Sequence, residues 1–278
     1  MSGAFVQLQR LLPQHALSRV LGKLANSALL SRPLIHAFSA AYHVSLDEAE
    51  RKAIGEYTTF NDFFTRSLAR GARPLPDDPR ALASPVDGTI SQFGAIEDGR
   101  LLQAKGVRYL LASLLVDSRA PRVFDGGWFA TIYLAPSDYH RVHMPCDGTL
   151  IRSIAVPGEL FSVNARTEAG VDRLFCRNER LVMHFKTAFG PMVMVMVGAL
   201  VVASIETVFD TPSSPYRSEA AETHDRPFVR GAEIGRFLLG STVIVVLPRN
   251  AMTPAHRLTI GYRARMGESL GNITSAQS

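Results

Sequence analysis

The sequence predicts an α+β protein, with N-terminal amphipathic helices followed by a predominantly antiparallel β core of sandwich or barrel-like form. Three observations predict it. Leu17, Val20, Leu21, Leu24 and Ala28 recur at helical spacing near the N-terminus. From Ala83 onward, short runs rich in valine and isoleucine alternate with Gly, Pro and Asp, the texture of strands joined by turns. The 278 residues, 46% hydrophobic and 20% charged, suffice for one large core plus an accessory segment. The expected division places a helical segment at 1–70 and a β-rich domain at 71–278.

The elements follow in order. Phe5 to Leu12 is a short apolar piece, and Pro13 and Pro33 are expected to bound the helix between them. No acidic residue occurs from Met1 to Ser45, whereas Arg10, Arg19, Lys23 and Arg32 are basic. Such a helix packs on its own domain or lies on an anionic lipid surface; mitochondrial presequences share the composition. Ser45-Leu46-Asp47-Glu48 offers a capping box for a second helical stretch, Ser45 to Leu68, which carries Phe60, Phe63 and Phe64. The expected strands are Thr89 to Phe93, Trp128 to Leu134, Gly148 to Val156, Leu181 to Phe185, Met192 to Ile205, Arg236 to Leu247 and Arg257 to Tyr262. Helices are expected only in the first quarter. The polar, proline-bearing stretch 207–233 reads as a long surface loop, and 267–278 as a loose tail.

Composition narrows the function classes. A net charge of +5 suggests an anionic partner. No Lys/Arg cluster alternates with aromatics, which ranks nucleic acid last. Cys146 and Cys176 form no metal-binding spacing, so a reducing compartment and no metal are expected. The best apolar run, Met192 to Ile205, is too short to span a bilayer. The N-terminus lacks the continuous apolar core of a signal peptide.

Chemistry concentrates in three places. Ser84-Pro85-Val86-Asp87-Gly88 sets an acid in a turn entering a strand. Tyr139-His140-Arg141-Val142-His143-Met144-Pro145 gathers two histidines, an arginine and a tyrosine. Gly240-Ser241 joins two apolar runs. It reads as a small-residue pair at a bulge, or as a bond that the serine hydroxyl attacks, since glycine offers the attack little resistance. Asp87, one of the two histidines and Ser241 would supply acid, base and nucleophile. No G-x-S-x-G elbow surrounds any serine, which disfavours an ordinary hydrolase.

These strings, with Phe63-Phe64-Thr65-Arg66, Pro157 to Asn164, Asn178-Glu179-Arg180, Gly198-Ala199, Gly235-Arg236-Phe237 and Leu239-Gly240-Ser241-Thr242, occur in the order found in bacterial membrane-associated phosphatidylserine decarboxylases. The chain resembles that family from about Phe60 to Leu247. The resemblance implies a proenzyme that cuts itself between Gly240 and Ser241 into a β chain, 1–240, and an α chain, 241–278. It implies an Asp87–His143–Ser241 triad for cleavage and a covalent pyruvoyl cofactor derived from Ser241, which forms a Schiff base with the substrate amine. His140 is then expected to act in decarboxylation, as proton donor or phosphodiester contact. The implied partners are phosphatidylserine and an anionic membrane surface, with the α chain held on the β chain and a homodimer of that unit admitted. The implied location is peripheral, on the cytoplasmic side of a bacterial inner membrane. Mitochondrial members of the family usually carry longer N-terminal extensions.

Overall fold

The computed structural model describes residue 22 and residues 24–199, 205–238 and 241–274. Leu17, Val20 and Leu21 of the first helix lie outside these residues, as do Leu239 and Gly240.

The central element is an antiparallel sheet of eight strands: β1 (Gly88–Ala95), β2 (Trp128–Leu134), β3 (Gly148–Val156), β4 (Arg180–Thr187), β5 (Gly190–Val197), β6 (Ala220–Phe228), β7 (Ser241–Leu247) and β8 (Arg263–Ala264). Their order is β6-β3-β4-β5-β7-β2-β1-β8, so the sheet is open, with β6 and β8 at its edges. Strand β7 lies in the middle and is buried on both faces, which explains its unbroken run Val243-Ile244-Val245-Val246-Leu247. Burying each such side chain contributes roughly 1.5–3 kcal/mol.

The two faces have different covers. Val243, Val245 and Leu247 pack with Leu82, Val142, Ile205, Ile234, Phe237, Met252 and Leu270, which belong to two small three-stranded sheets. Ile244 and Val246 pack with Leu111, Leu114, Leu115, Phe124, Leu174 and Phe175. The latter sit on short helices, Leu111–Leu115, Ala120–Phe124 and Leu174–Arg177, which correct the expectation that helices end with the first quarter. Each is about one turn long, too short for its periodicity to register in the sequence, and is fixed by the sheet face it covers.

Other expectations are corrected by tertiary contacts. Helix α1 (Ala28–Tyr42) contains Pro33 instead of ending before it. Residues 45–59 form turns and one 3-10 segment, Ile54–Glu56, in place of a helix. Ser45 Oγ accepts from Asp47 N–H in a local turn, and Glu48 is drawn to Arg73 and Arg265 rather than to a helix start. Helix α2 is confined to Phe60–Phe64, capped by Thr59. The 207–233 stretch supplies β6, a polar edge strand paired with β3. Residues 269–273 form the central strand of the sheet with Ala81–Ala83 and Met252–Pro254, so this part of the tail is ordered by pairing. The expected strand Arg236 to Leu247 is two strands in different sheets, and Arg257 to Tyr262 forms turns leading into β8.

Candidate active site

The site lies at one end of the large sheet, between it and the small sheet formed by strands Ile205–Thr207, Glu233–Phe237 and Arg141–His143. Ser241 opens β7 opposite Leu134 of β2, while Thr242 pairs with Val197 of β5. Thr89 of β1 pairs with Tyr133 of β2. Asp87 therefore stands at the same sheet end as Ser241, two strand spacings away, or about 10 Å between backbones. Ser241 shares the face of Val243 and Val245, the face covered by Val142 and Phe237. Its hydroxyl is fully buried and has no hydrogen-bond partner among the described residues. An orphan hydroxyl of this kind costs stability.

The histidine segment is clamped onto the same end. Phe237 N–H donates to the His140 carbonyl at 3.0 Å, and His143 N–H donates to the Pro85 carbonyl at 2.9 Å. This places His143 beside the Asp87 turn and His140 opposite Phe237, which precedes Ser241 by four residues in sequence.

The two rings are held differently. His140 is completely buried; its Nδ1 lies 2.8 Å from the Asp138 carbonyl, which can only accept, so the proton sits on Nδ1. Its Nε2 keeps a bare lone pair with no partner among the described residues. Burial pushes its pKa down to about 3, against the raising effect of the Asp138 carbonyl, so the ring is neutral. Phe64 covers it at 4.0 Å between ring centroids. His143 likewise donates from Nδ1 to the Gly231 carbonyl at 2.8 Å, and its Nε2 accepts from the Tyr139 hydroxyl at 3.0 Å. Burial holds it below the usual histidine range, while the Gly231 carbonyl and the charges of Glu233 and Asp87 act the other way.

Asp87 makes no hydrogen bond to His143 in this arrangement. Its carboxylate receives the Arg73 guanidinium and the Met266 N–H. The carbonyl of Gly231 thus fixes the His143 tautomer, and Asp87 reaches the ring through its field alone. Sequence reasoning gave no role to Arg73, Gly231 or Tyr139. Only Tyr139 had a local signal, its place in the histidine string.

Helix α2 fastens the site to the N-terminal segment. Phe38 of α1 packs edge-on against Phe60 and Phe64, and Phe64 passes the contact to His140. Arg66 donates to the Ser137 carbonyl at 2.9 Å, and Arg141 donates to the Thr65 carbonyl and to Ser67 Oγ. Beyond β7, Gly198 N–H donates to the Glu179 carbonyl, and Asn178 ties Phe161 to Gly198 by donating to both carbonyls.

The sequence model described as Phosphatidylserine decarboxylase matches residues 60–272, and a second, described as PSD, matches residues 4–43. The chain belongs to the phosphatidylserine decarboxylase family. It is 50% identical over 271 residues, 96% of this chain and 98% of the relative, to a phosphatidylserine decarboxylase proenzyme of Psychrobacter arcticus. It is 47% identical to the proenzyme of the same name from Hahella chejuensis, over 97% of this chain and 93% of that one. A third such proenzyme, from Acinetobacter baumannii, is 44% identical over 96% of this chain and 95% of its own length. Membership makes the chain an enzyme of the carboxy-lyase class. No helix among the described residues is long and apolar enough to cross a membrane, and no group of three or more potential metal ligands occurs among them.

Proposed function

We propose that this proenzyme cleaves itself at Gly240-Ser241 and then converts phosphatidylserine to phosphatidylethanolamine, a step of phospholipid biosynthesis. The observation that carries the reading is the buried Ser241 hydroxyl at the head of β7, without a hydrogen-bond partner among the described residues, in a chain of this family. A hydroxyl not engaged elsewhere can attack the carbonyl before it once a base takes its proton.

His143 is the base for cleavage, neutral and oriented by Gly231, with Asp87 stabilising the charge it gains. Its Nε2 accepts from the Tyr139 hydroxyl, and we assign the proton leaving Ser241 to this Tyr139–His143 pair. The amide becomes an ester; elimination then releases the 1–240 carboxylate and leaves dehydroalanine, whose hydrolysis frees ammonia and leaves a pyruvoyl group at residue 241. That group supplies an electron sink for the bond electrons released with carbon dioxide. His140 supports this chemistry with a buried Nε2 that has no hydrogen-bond partner among the described residues. A neutral imidazole with a free lone pair accepts a hydrogen bond from the substrate amine, which orients that nitrogen toward residue 241. On this reading His140 positions the substrate for decarboxylation.

The membrane assignment rests on α1. Leu29 is 94% exposed, and Leu30, Leu34 and Tyr42 are also exposed, whereas Ile35 is buried. An apolar outward face joined to basic residues suits an anionic lipid surface, with 1–70 the lipid-facing segment and 71–278 the catalytic part. On this reading the enzyme is peripheral, on the cytoplasmic side of a bacterial inner membrane.

The test is intact-mass analysis with a decarboxylation assay on phosphatidylserine vesicles and on free serine. Two chains, the smaller starting with a pyruvoyl group, and release of carbon dioxide from the lipid alone are expected. An intact, inactive wild-type chain overturns the reading.

A further inference from the structure

The carboxylate assigned to cleavage is gripped by an arginine. Arg73 Nε donates to Asp87 Oδ1 at 2.8 Å, and Nη2 donates to Oδ2. The arginine side chain is only 8% exposed. Its remaining nitrogen, Nη1, donates to Glu48 at 3.0 Å and to the Ala72 carbonyl at 2.8 Å. The other oxygen of Glu48 pairs with Arg265, and the next residue, Met266, donates its N–H to Asp87 at 2.7 Å. Asp87, Arg73, Glu48 and Arg265–Met266 thus form a closed ring of charge-assisted bonds. It draws on the N-terminal segment, the linker before the β core, the start of β1 and the chain beyond Ser241.

We propose that Arg73 is a positioning residue for self-cleavage, and that Glu48 holds it in place. This rests on the reading that Asp87 supports His143. A carboxylate at the mouth of a strand can rotate about two side-chain bonds, and its effect on a ring it does not touch depends on where its oxygens point. A guanidinium fork fixes both oxygens in one plane, which an ammonium cannot do. Glu48 and the Ala72 carbonyl fix the fork in turn. Because Arg265 and Met266 follow the cleavage site in sequence, the ring closes only after that part of the chain has folded back on the sheet. Cleavage is thereby tied to a completed fold, and the same ring bridges the two chains afterwards.

The experiment follows the rate of chain cleavage after synthesis, by denaturing gel and intact mass, in Arg73→Gln, Arg73→Lys, Glu48→Gln, Asp87→Asn and the double variant Asp87→Asn/Arg73→Gln. Arg73→Gln is expected to slow cleavage at least tenfold. Arg73→Lys recovers part of the rate, and Glu48→Gln slows cleavage a fewfold. The double variant is expected to be no slower than Asp87→Asn, since two residues acting through one group are not additive. A merely structural role predicts additive losses and no recovery with lysine. Wild-type cleavage in Asp87→Asn overturns the assignment of Asp87 and this role of Arg73 with it. A blocked Asp87→Asn beside a normal Arg73→Gln overturns the Arg73 proposal alone. Should Arg73→Gln fail to fold, Glu48→Gln decides, its side chain being about half exposed; an unchanged cleavage rate there overturns the ring.

Discussion

A completely buried neutral histidine makes the fold sensitive to acid, and His140 allows that sensitivity to be measured. Its folded pKa is pushed down to about 3, below the ordinary histidine value near 6.5 that the unfolded chain restores. Between these values the unfolded chain binds a proton that the folded chain refuses. The stabilisation is therefore complete above about pH 6.5 and is lost as pH falls. One such site changes stability by at most about 1.4 kcal/mol per pH unit, or roughly 2 kcal/mol between pH 6.5 and pH 4.5. The perturbation is His140→Asn in a Ser241→Ala background, which keeps one uncleaved chain. Asparagine retains a donor for the Asp138 carbonyl but does not titrate. Urea unfolding followed by the fluorescence of Trp128, the only tryptophan, gives the stability at each pH. His143 and His184, also held below the usual range mainly by burial, are present in both chains and cancel in the difference. The parent chain is expected to lose roughly 2–3 kcal/mol more than His140→Asn over this interval. Equal losses in the two chains would refute the neutral, buried state of His140 and the hydrogen-bond-accepting role built on it.

Cleavage itself should be flat in rate above neutrality and fall only at acid pH, below the usual histidine range, because His143 must be neutral to act; a rate still rising at pH 8 excludes it as the base. Asn178→Ala strands the Phe161 amide and carbonyl and the Gly198 carbonyl, so a loss of about 2–4 kcal/mol in urea unfolding is expected. Burial pushes the Cys146 thiol up to about 12 and the Cys176 thiol to about 11, so both should resist alkylation at pH 7.5 until the protein is unfolded, with kinetics followed by mass. Leu29→Glu with Leu30→Glu should reduce sedimentation with anionic vesicles by at least tenfold while leaving chain cleavage intact; unchanged sedimentation places the lipid contact elsewhere.

Much of the fold was legible because burial leaves a pattern. Strands Trp128–Leu134 and Gly148–Val156 coincide with the apolar runs that predicted them. The Val-rich run after Ser241 gave β7 for the same reason. Strand β6 escaped because its Ala-Glu-Thr-His-Asp-Arg composition suits solvent, and only its partner β3 makes it a strand. The stretch 45–59 misled in the opposite way: Ser45 and Glu48 fit a helix start locally, but their oxygens are used by Asp47 and by two arginines distant in sequence.

The sequence by itself determined the α+β class, the family and the reacting residues to be sought, since each is written in short contiguous strings that need no partner to be read. Tertiary structure decided how those residues are held. It set the His140 Nε2 lone pair free and buried, put Tyr139 and Gly231 on the two nitrogens of His143, and gave the Asp87 carboxylate to Arg73. Each of these contacts joins residues between 4 and 88 positions apart or leaves a group without a partner among the described residues. Hydrogen-bond geometry of that kind depends on strand register and packing, and no local pattern records it.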